Sequence, residues 1–308
     1  MASNDAPLRV GYVPEHFSTP LYFAKKYFGL TAELIAFPSG TGHMITALRS
    51  HEIDVGIGLT EGWVAGLGKE DLEGDGGYKI VGTYVETPLC WAISTGANRT
   101  INSVADLKDS KIGVSRIGSG SYVMGFVLAD QNGWLKPGTK PFDFIPLQTF
   151  EKLRKAVNDG EADFFMWEHF TSKRYYDNGE IKKIGEIYTP WRSWLITAST
   201  KLVPGGNPHK KLHDLFKKID EGVKYFGQHQ EEAVKYISTE LDYSEEDARE
   251  WLKTVRFSTN VEGVDVGVVQ GTIDVLKKAD VLGEKGLTAQ QMIASELAAQ
   301  FPGSFPKH

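Results

Sequence analysis

Three turns in this chain place small hydroxyl and glycine residues directly after an apolar, strand-like run. They are Ser39-Gly40-Thr41, Thr60 followed by Glu61, and Ser119-Gly120-Ser121. Each turn leads into a helix-like run, and the free backbone N–H groups at a helix N-terminus can bind anionic or carbonyl oxygens. The same residue types also serve as helix caps and turn formers without any ligand. The turns are therefore candidate ligand contacts, with capping as the alternative role.

Aromatic side chains are dense beside these turns. Phe17, Trp63 and Trp167 offer flat surfaces on which a ring-bearing ligand could stack, and Arg192 stands in the run Trp191–Trp194 with a tryptophan at each end. Rings of this kind supply the apolar lining of small-molecule sites, while a few polar groups fix the orientation of the ligand. The alternative role for each ring is packing within the protein.

Three carboxylates accompany the same segments. Glu15 follows the first strand-like run, and Glu61 and Glu168 each open a helix-like run. If they face a common ligand, they favour a cationic or amine-bearing molecule. The alternative for Glu61 and Glu168 is a purely structural place in the first turn of a helix, where the helix dipole stabilises negative charge.

Signatures of metal binding and catalysis are weak or absent in the sequence. His209 and His213 have the i, i+4 spacing of a zinc pair, but they lie in a highly charged run typical of a surface helix. No P-loop, His-Glu-x-x-His or nucleophile-elbow motif occurs. Gly118 and Gly120 resemble a dinucleotide turn, but Val123 stands where its third glycine belongs. We therefore predict no cofactor, no metal site and no catalytic residue.

The order of the elements predicts that the candidate side chains lie at one edge of each of two sheets. The strand-like runs are 8–13, 32–37, 54–59, 111–115, 143–147 and 162–167, and helix-like runs separate them. This alternation is typical of a mostly parallel sheet, which binds ligands at the carboxyl ends of its strands. The predicted ligand-binding residues are Glu15, His16, Phe17, Ser39, Gly40, Thr41, Thr60, Glu61, Trp63, Ser119, Gly120, Ser121, Trp167, Glu168, His169 and Arg192.

A short internal repeat supports two α/β units. Ala47–Asp54 and Ala156–Asp163, 109 residues apart, both read as a helix end followed by Glu-x-Asp and an apolar strand. In both copies an acidic residue, Glu61 or Glu168, is expected to open the next helix.

Two further strand-like runs mark the borders between the units. They are 88–94 and 194–197, and two such crossings predict a paired hinge. The predicted first lobe is residues 1–87 with 191–308, and the second is 88–190. The last hundred residues are mainly helix-like, with helices expected at 210–227, 230–239, 244–253, 264–279 and 289–300.

The order and spacing of several short segments resemble type II periplasmic-binding proteins, in the branch of alkanesulfonate, taurine and thiamine-pyrimidine binders. The segments are Leu8–Tyr12, Ile53–Gly56, Val104–Val114, Gly118–Ser121 and Gly160–Asp163. The resemblance implies a two-lobed α/β fold with two hinge crossings, a helical C-terminal segment and lobes that close around one small molecule. It also implies a small polar ligand, of heteroaromatic or amine- or sulfonate-type, such as a thiamine-pyrimidine precursor.

The net charge and the hydropathy of the chain limit the classes of partner that we expect. The net charge of −6 argues against a nucleic-acid partner, and no run is long and apolar enough to suggest a membrane span. The beginning of the sequence lacks the pattern of an export signal, which favours a cytoplasmic protein of the kind found among fungal relatives of these binders. The alternative is an exported protein whose signal has been removed, and only then is a transporter partner expected.

An enzyme on the same scaffold is the competing hypothesis. The resemblance extends to the fungal pyrimidine synthase of thiamine biosynthesis, and His16 or His43 would then act as a general base. That family carries a cysteine-rich iron motif, whereas this chain has a single cysteine, Cys90. The sequence therefore favours binding over catalysis.

Overall fold

The computed structural model describes residues 6–136 and 138–299, which form two compact α/β units. The first unit runs to Thr87 and resumes at Trp191–Ile273 and from Glu284, and the second is Pro88–Pro190 with Asp274–Gly283. The predicted α/β class with two sheets is confirmed. The sequence assigned residues 191–308 to the first lobe without interruption, whereas the structure groups Asp274–Gly283 with the second unit.

Twelve strands and eleven α-helices lie in the described part of the chain. The strands are β1 (Arg9–Tyr12), β2 (Glu33–Ala36), β3 (Val55–Leu59), β4 (Tyr78–Val85), β5 (Cys90–Gly96), β6 (Lys111–Val114), β7 (Asp143–Pro146), β8 (Phe164–Glu168), β9 (Ile181–Tyr188), β10 (Trp194–Ser199), β11 (Val264–Asp265) and β12 (Ala298–Ala299). The helices are α1 (Thr19–Tyr27), α2 (Thr41–Arg49), α3 (Thr60–Leu67), α4 (Gly120–Gln131), α5 (Phe150–Asp159), α6 (His169–Asp177), α7 (Lys210–Gln228), α8 (Gln230–Glu240), α9 (Glu245–Leu252), α10 (Val266–Lys278) and α11 (Ala289–Met292).

Each unit contains a five-stranded sheet with the same arrangement. The strand order is β2-β1-β3-β10-β4 in the first unit and β7-β6-β8-β5-β9 in the second. The first three strands of each sheet are parallel, and the fourth, β10 or β5, is antiparallel to both of its neighbours. The carboxyl ends of β1 and β3 therefore lie at one edge of the first sheet, and those of β6 and β8 at the matching edge of the second.

The aspartates of the sequence repeat have the same role in both units. Asp54 Oδ2 accepts hydrogen bonds from the Arg9 backbone N–H at 2.9 Å and from Arg9 Nε at 3.0 Å. In the second unit, Asp163 Oδ2 accepts the backbone N–H of Lys111 at 2.9 Å, and Arg99 donates to Oδ1. Asp54 thus links the residues just before β3 to the start of β1, and Asp163 links the residues just before β8 to the start of β6.

The C-terminal part contains four long helices, but the predicted helix at 289–300 is wrong over most of its length. Helix α11 ends at Met292, after which Ile293 bridges Ile80 of β4 and β12 pairs with β11. Pairing with these strands replaces the intrahelical hydrogen bonds, and Gln300 lies outside the described residues. Among the described residues, no helix has both the length and the apolar character needed to cross a bilayer.

The chain passes between the units at Thr87/Pro88 and Pro190/Trp191, and again at Ile273/Asp274 and Gly283/Glu284. The two segments at the first pair of crossings are hydrogen-bonded to one another within each unit. In the second unit, the Thr189 N–H donates to the Leu89 carbonyl at 3.1 Å, and the Leu89 N–H donates to Thr189 Oγ1 at 2.9 Å. In the first unit, Ser193 Oγ donates to the Thr87 carbonyl at 2.7 Å.

Replacing Asp54 by Asn should destabilise the protein in a pH-dependent way. Burial alone would raise the pKa of Asp54, but the hydrogen bonds and charge of Arg9 hold it below its usual value. A lowered pKa stabilises the folded state above the pKa of the unfolded chain, and this contribution is lost as pH falls through the folded pKa. At pH 7 we expect D54N to cost about 1 kcal/mol, since the pair is partly exposed.

Urea denaturation at pH 7, pH 5 and pH 3 measures this effect, because the contribution is lost only below the usual pKa of an aspartate, and the exposed Asp71 is the matched control. The difference between the wild type and D54N should shrink at the lower pH. An equal loss in D71N, or a difference independent of pH, would contradict the role given to Asp54.

Candidate ligand-binding loops

The loop after β1 places His16 and Phe17 inside an aromatic cluster. The His16 ring is fully buried and lies 4.4 Å from the Tyr243 ring in a stacked arrangement and 4.2 Å from the Trp251 ring. The Phe17 ring is 5.0 Å from that of Trp194. His16 is therefore enclosed by side chains of its own unit, while the preceding Glu15 is half-buried.

The turn at Ser39-Gly40-Thr41 positions the start of α2. Gly40 has a φ of 78°, a left-handed conformation that favours glycine. Thr41 is buried, and its Oγ1 accepts the backbone N–H of Leu59 at 2.9 Å. Thr41 thus ties the start of α2 to the end of β3, whereas Ser39 is exposed.

The turn from β3 into α3 is attached to the crossing segment after Pro190. The Thr60 N–H donates to the Ser193 carbonyl at 3.0 Å, and the Thr60 hydroxyl donates to the Arg192 carbonyl at 2.5 Å. These bonds fix the first turn of α3, which contains Glu61. The Arg192 side chain is half-buried and forms no hydrogen bond or ion pair with the described residues.

Glu61 is a buried carboxyl group with only one of its oxygens hydrogen-bonded. Its side chain is 1% exposed, and Oε2 accepts the indole N–H of Trp191 at 3.0 Å. Oε1 is buried and has no hydrogen-bond partner among the described residues. Leaving a buried polar group unsatisfied costs about 1–3 kcal/mol.

Burial raises the pKa of Glu61 to about 7, although its own backbone and Trp191 oppose the shift. No charged side chain of the described residues contributes to this shift. Near neutral pH the group therefore exists both as a neutral acid, which can donate a hydrogen bond, and as a carboxylate, which can only accept.

Trp63 lies in the core of the first unit. Its ring is fully buried, and a Cβ atom built on Gly56 would lie 2.6 Å from its Cη2 atom. The close approach to Gly56 shows that the indole packs against β3. The stacking surface expected from the sequence requires an exposed ring face, so Trp63 has a packing role here; its buried Nε1 has no partner among the described residues.

In the second unit, the turn Ser119-Gly120-Ser121 forms the N-terminus of α4. Ser119 is the N-cap, and its Oγ accepts the Tyr122 N–H. Ser121 Oγ accepts the Ser115 N–H at 3.1 Å and lies 3.0 Å from Ser119 Oγ. Both serines are buried. They therefore have the capping and turn-forming roles that the sequence left open as an alternative to ligand contact.

The turn after β8 differs from its counterpart after β3. Glu168 is the N-cap of α6, and its Oε2 accepts the Thr171 N–H at 2.7 Å. The repeat offset of 109 residues places Glu168 opposite Leu59, which is the N-cap of α3. Glu61 is the second residue of α3, so each carboxylate lies at the start of a helix as expected, but at positions two residues apart in the repeat.

The two aromatic candidates of this turn are half-buried. The Trp167 ring stacks on that of Phe150, with centroids 5.1 Å apart and planes 21° from parallel. His169 Nδ1 lies 3.4 Å from Lys183 Nζ. Trp167 and His169 therefore both keep part of their surface accessible at the carboxyl end of β8.

Sequence reasoning did not select Trp91 and Trp194 as site residues. Trp91 is the second residue of β5 and Trp194 is the first of β10. They occupy matching places, since Trp91 pairs with Glu168 at the end of β8 and Trp194 pairs with Leu59 at the end of β3. Both indoles are buried, and neither Nε1 has a hydrogen-bond partner among the described residues. A signal was present in the sequence, because a tryptophan follows each of the two Thr-Pro pairs at the crossings.

Comparisons with known proteins identify related chains. Residues 91–187 match the family model described as Ca3427-like PBP. The Candida albicans CA3427 gene product, described as defining a new family of proteins with the generic periplasmic binding protein fold, is 41% identical over 96% of each chain, with a TM-score of 0.83. No curated protein sequence matches the chain significantly.

More distant structures share the fold alone. The alkanesulfonate-binding protein SsuA from Xanthomonas axonopodis pv. citri, bound to MOPS, is 16% identical with a TM-score of 0.72, over 97% of this chain and 100% of its own. The nitrate-binding protein NrtA from Synechocystis PCC 6803 is 15% identical with a TM-score of 0.69, over 97% of this chain and 87% of its own.

Replacing Glu61 by Gln should remove a pH dependence of stability. The raised pKa means that the folded state binds a proton more tightly than the unfolded chain, so stability falls as pH rises from about 4.5 and levels off above the folded pKa. A shift to about 7 is worth on the order of 3 kcal/mol. Chemical denaturation at pH 5 and pH 8 should show E61Q gaining stability relative to the wild type at the higher pH. A constant difference between the two proteins would contradict this assignment.

Proposed function

Because the chain belongs to the family that the Candida albicans CA3427 gene product defines, we propose that it is a non-enzymatic, solute-binding protein that closes on one small polar molecule. The family has the generic periplasmic binding protein fold, which agrees with the resemblance in the sequence. In this proposal the loops at the carboxyl ends of the strands in both units contact the ligand, and the two crossing segments act as the hinge.

The observation that supports the proposal is a set of buried polar atoms near the carboxyl ends of the central strands that have no hydrogen-bond partner in the described part of the chain. They are Glu61 Oε1 and Trp194 Nε1 in the first unit and Trp91 Nε1 in the second. Buried polar groups are nearly always hydrogen-bonded in folded proteins. A ligand with both donors and acceptors would satisfy atoms of this kind.

The ligand class follows from the chemistry of these groups. Indole N–H donors and the half-buried Arg192 suit the oxygens of a sulfonate or a carbonyl group. Among the structures that share the fold, SsuA binds alkanesulfonates and NrtA binds nitrate. Trp167 adds an aromatic face for a ring. We therefore propose a heteroaromatic or amine- or sulfonate-type metabolite, with a thiamine-pyrimidine precursor as one example.

Binding is favoured over catalysis because SsuA and NrtA are binding proteins and because His16, one candidate general base, is enclosed in the aromatic cluster. The proposal includes a cytoplasmic location, with a transporter as partner only for an exported form.

A thermal-shift screen tests the proposal with taurine, ethanesulfonate, nitrate and 4-amino-5-hydroxymethyl-2-methylpyrimidine. A ligand at 100 times its Kd should stabilise the protein by about 2.7 kcal/mol, which raises the melting temperature by several degrees. The variants W91F and W194F should each bind about tenfold more weakly, because each loses one donor to the ligand.

Trp134 is the matched control because it packs against Phe142 away from the candidate loops, so W134F should bind normally. Native mass spectrometry of freshly purified protein should also detect a co-purified small molecule. An unchanged melting temperature with every probe, together with a ligand-free mass, would contradict the proposal.

A further inference from the structure

We infer that Glu61 binds an N–H donor of the ligand, and that the ligand therefore carries an amine, an amidine or an amino-substituted nitrogen ring beside its acceptor groups. This inference rests on the proposed function and names the part of the ligand that the first unit recognises.

The position of Glu61 is fixed before any ligand binds. Thr60 is hydrogen-bonded to the carbonyls of Arg192 and Ser193 through its side chain and backbone. The indole of Trp191 then holds Oε2 of Glu61 at 3.0 Å. One carboxyl oxygen is thus oriented by the protein, and the geometry leaves Oε1 as the oxygen for another donor.

The chemistry of Oε1 selects the ligand group. A carboxylate oxygen accepts hydrogen bonds from N–H donors, and a charged donor forms the stronger bond. No charged side chain of the described residues contributes to the pKa shift of Glu61. A cationic N–H group would therefore bring the balancing positive charge itself, whereas a neutral amino group would supply only the positive end of its N–H dipole.

Binding of such a group should displace a proton from Glu61. Burial raises the pKa of the free group to about 7, so part of the protein population carries the proton at neutral pH. A cation beside the carboxyl group favours its ionised form and lowers its pKa. The proton then leaves to solvent, and its release depends on the side chain of residue 61.

Paired probes that differ in one donor test the inference by isothermal calorimetry. The pairs are taurine with ethanesulfonate, and 4-amino-5-hydroxymethyl-2-methylpyrimidine with its 4-oxo counterpart. The wild type should bind at least one amino member about tenfold more tightly than its partner, which corresponds to about 1.4 kcal/mol. The binding enthalpy is measured at pH 7 in phosphate and in Tris, two buffers with different heats of ionisation. A difference between the two enthalpies reveals the released proton.

The variant E61Q should lose both the preference for the amino member and the proton release, while the amino-lacking member binds within about twofold of its wild-type affinity. The exposed Glu73 is the matched control, and E73Q should behave as the wild type. If E61Q does not fold, W191F is the second variant. It removes the donor that lowers the pKa of Glu61, so it should keep the amino preference and release more of the proton at pH 7.

The outcomes separate the two proposals. Equal affinity for both members of every pair, or a preference that persists in E61Q, overturns the inference and leaves the proposed function standing. Tight binding without proton release in the wild type also overturns it. Failure of every probe to bind contradicts both the inference and the proposed ligand class.

Discussion

The antiparallel strand in the fourth position of each sheet is the constraint on which the rest of the structure depends. Without β10, the facing edges of β3 and β4 would have unpaired backbone groups, and β5 has the same place between β8 and β9. Since β10 follows Pro190 in the chain, the first sheet cannot be completed by the first 87 residues. Insertion of β10 also brings Trp191 to Glu61, which lies 130 residues earlier. The same pairing that completes the sheet therefore orients the carboxyl group.

At the carboxyl end of β3, several side chains are held by well-defined contacts while a few buried polar atoms are not hydrogen-bonded to the described residues. The backbone and hydroxyl of Thr60 are fully engaged, Thr41 holds Leu59, and Trp63 fills the space against Gly56. Beside these contacts, Glu61 and Trp194 have buried polar atoms with no hydrogen-bond partner within residues 6–136 and 138–299. Such atoms lower the stability of the unliganded protein, and a ligand that supplies the missing partners recovers that free energy on binding. Affinity and specificity then come from preorganised groups, because few side chains have to be ordered when the ligand arrives.

The elements with clear local signals were predictable from the sequence, and the residues that meet through tertiary contacts were not. Apolar runs located β1, β3, β6 and β8, and the Glu-x-Asp repeat located Asp54 and Asp163. Helical periodicity failed at 289–300 because Ile293 pairs with Ile80, more than two hundred residues earlier.

The same limit applied to individual side chains. Trp63 was expected to contact a ligand because it lies beside a candidate turn. Its packing against Gly56 in the core is a contact that the local sequence does not reveal. The bond between Glu61 and Trp191 depends on strand insertion, which one sequence cannot specify. Family resemblance supplied the fold, and the structure supplied the partners of each candidate group.

The membership of Asp274–Gly283 in the second unit has a consequence for how the protein is made. Lys278 in this segment pairs with Asp130 at 3.4 Å, and the negative charge of Asp280 acts on Tyr122. A nascent chain that has reached Pro190 has all five strands of the second sheet but still lacks this segment. The second unit can then reach its final form only after Gly283 has been synthesised, so the completion of its sheet and the completion of the unit are separated by the residues of the first unit that lie between them.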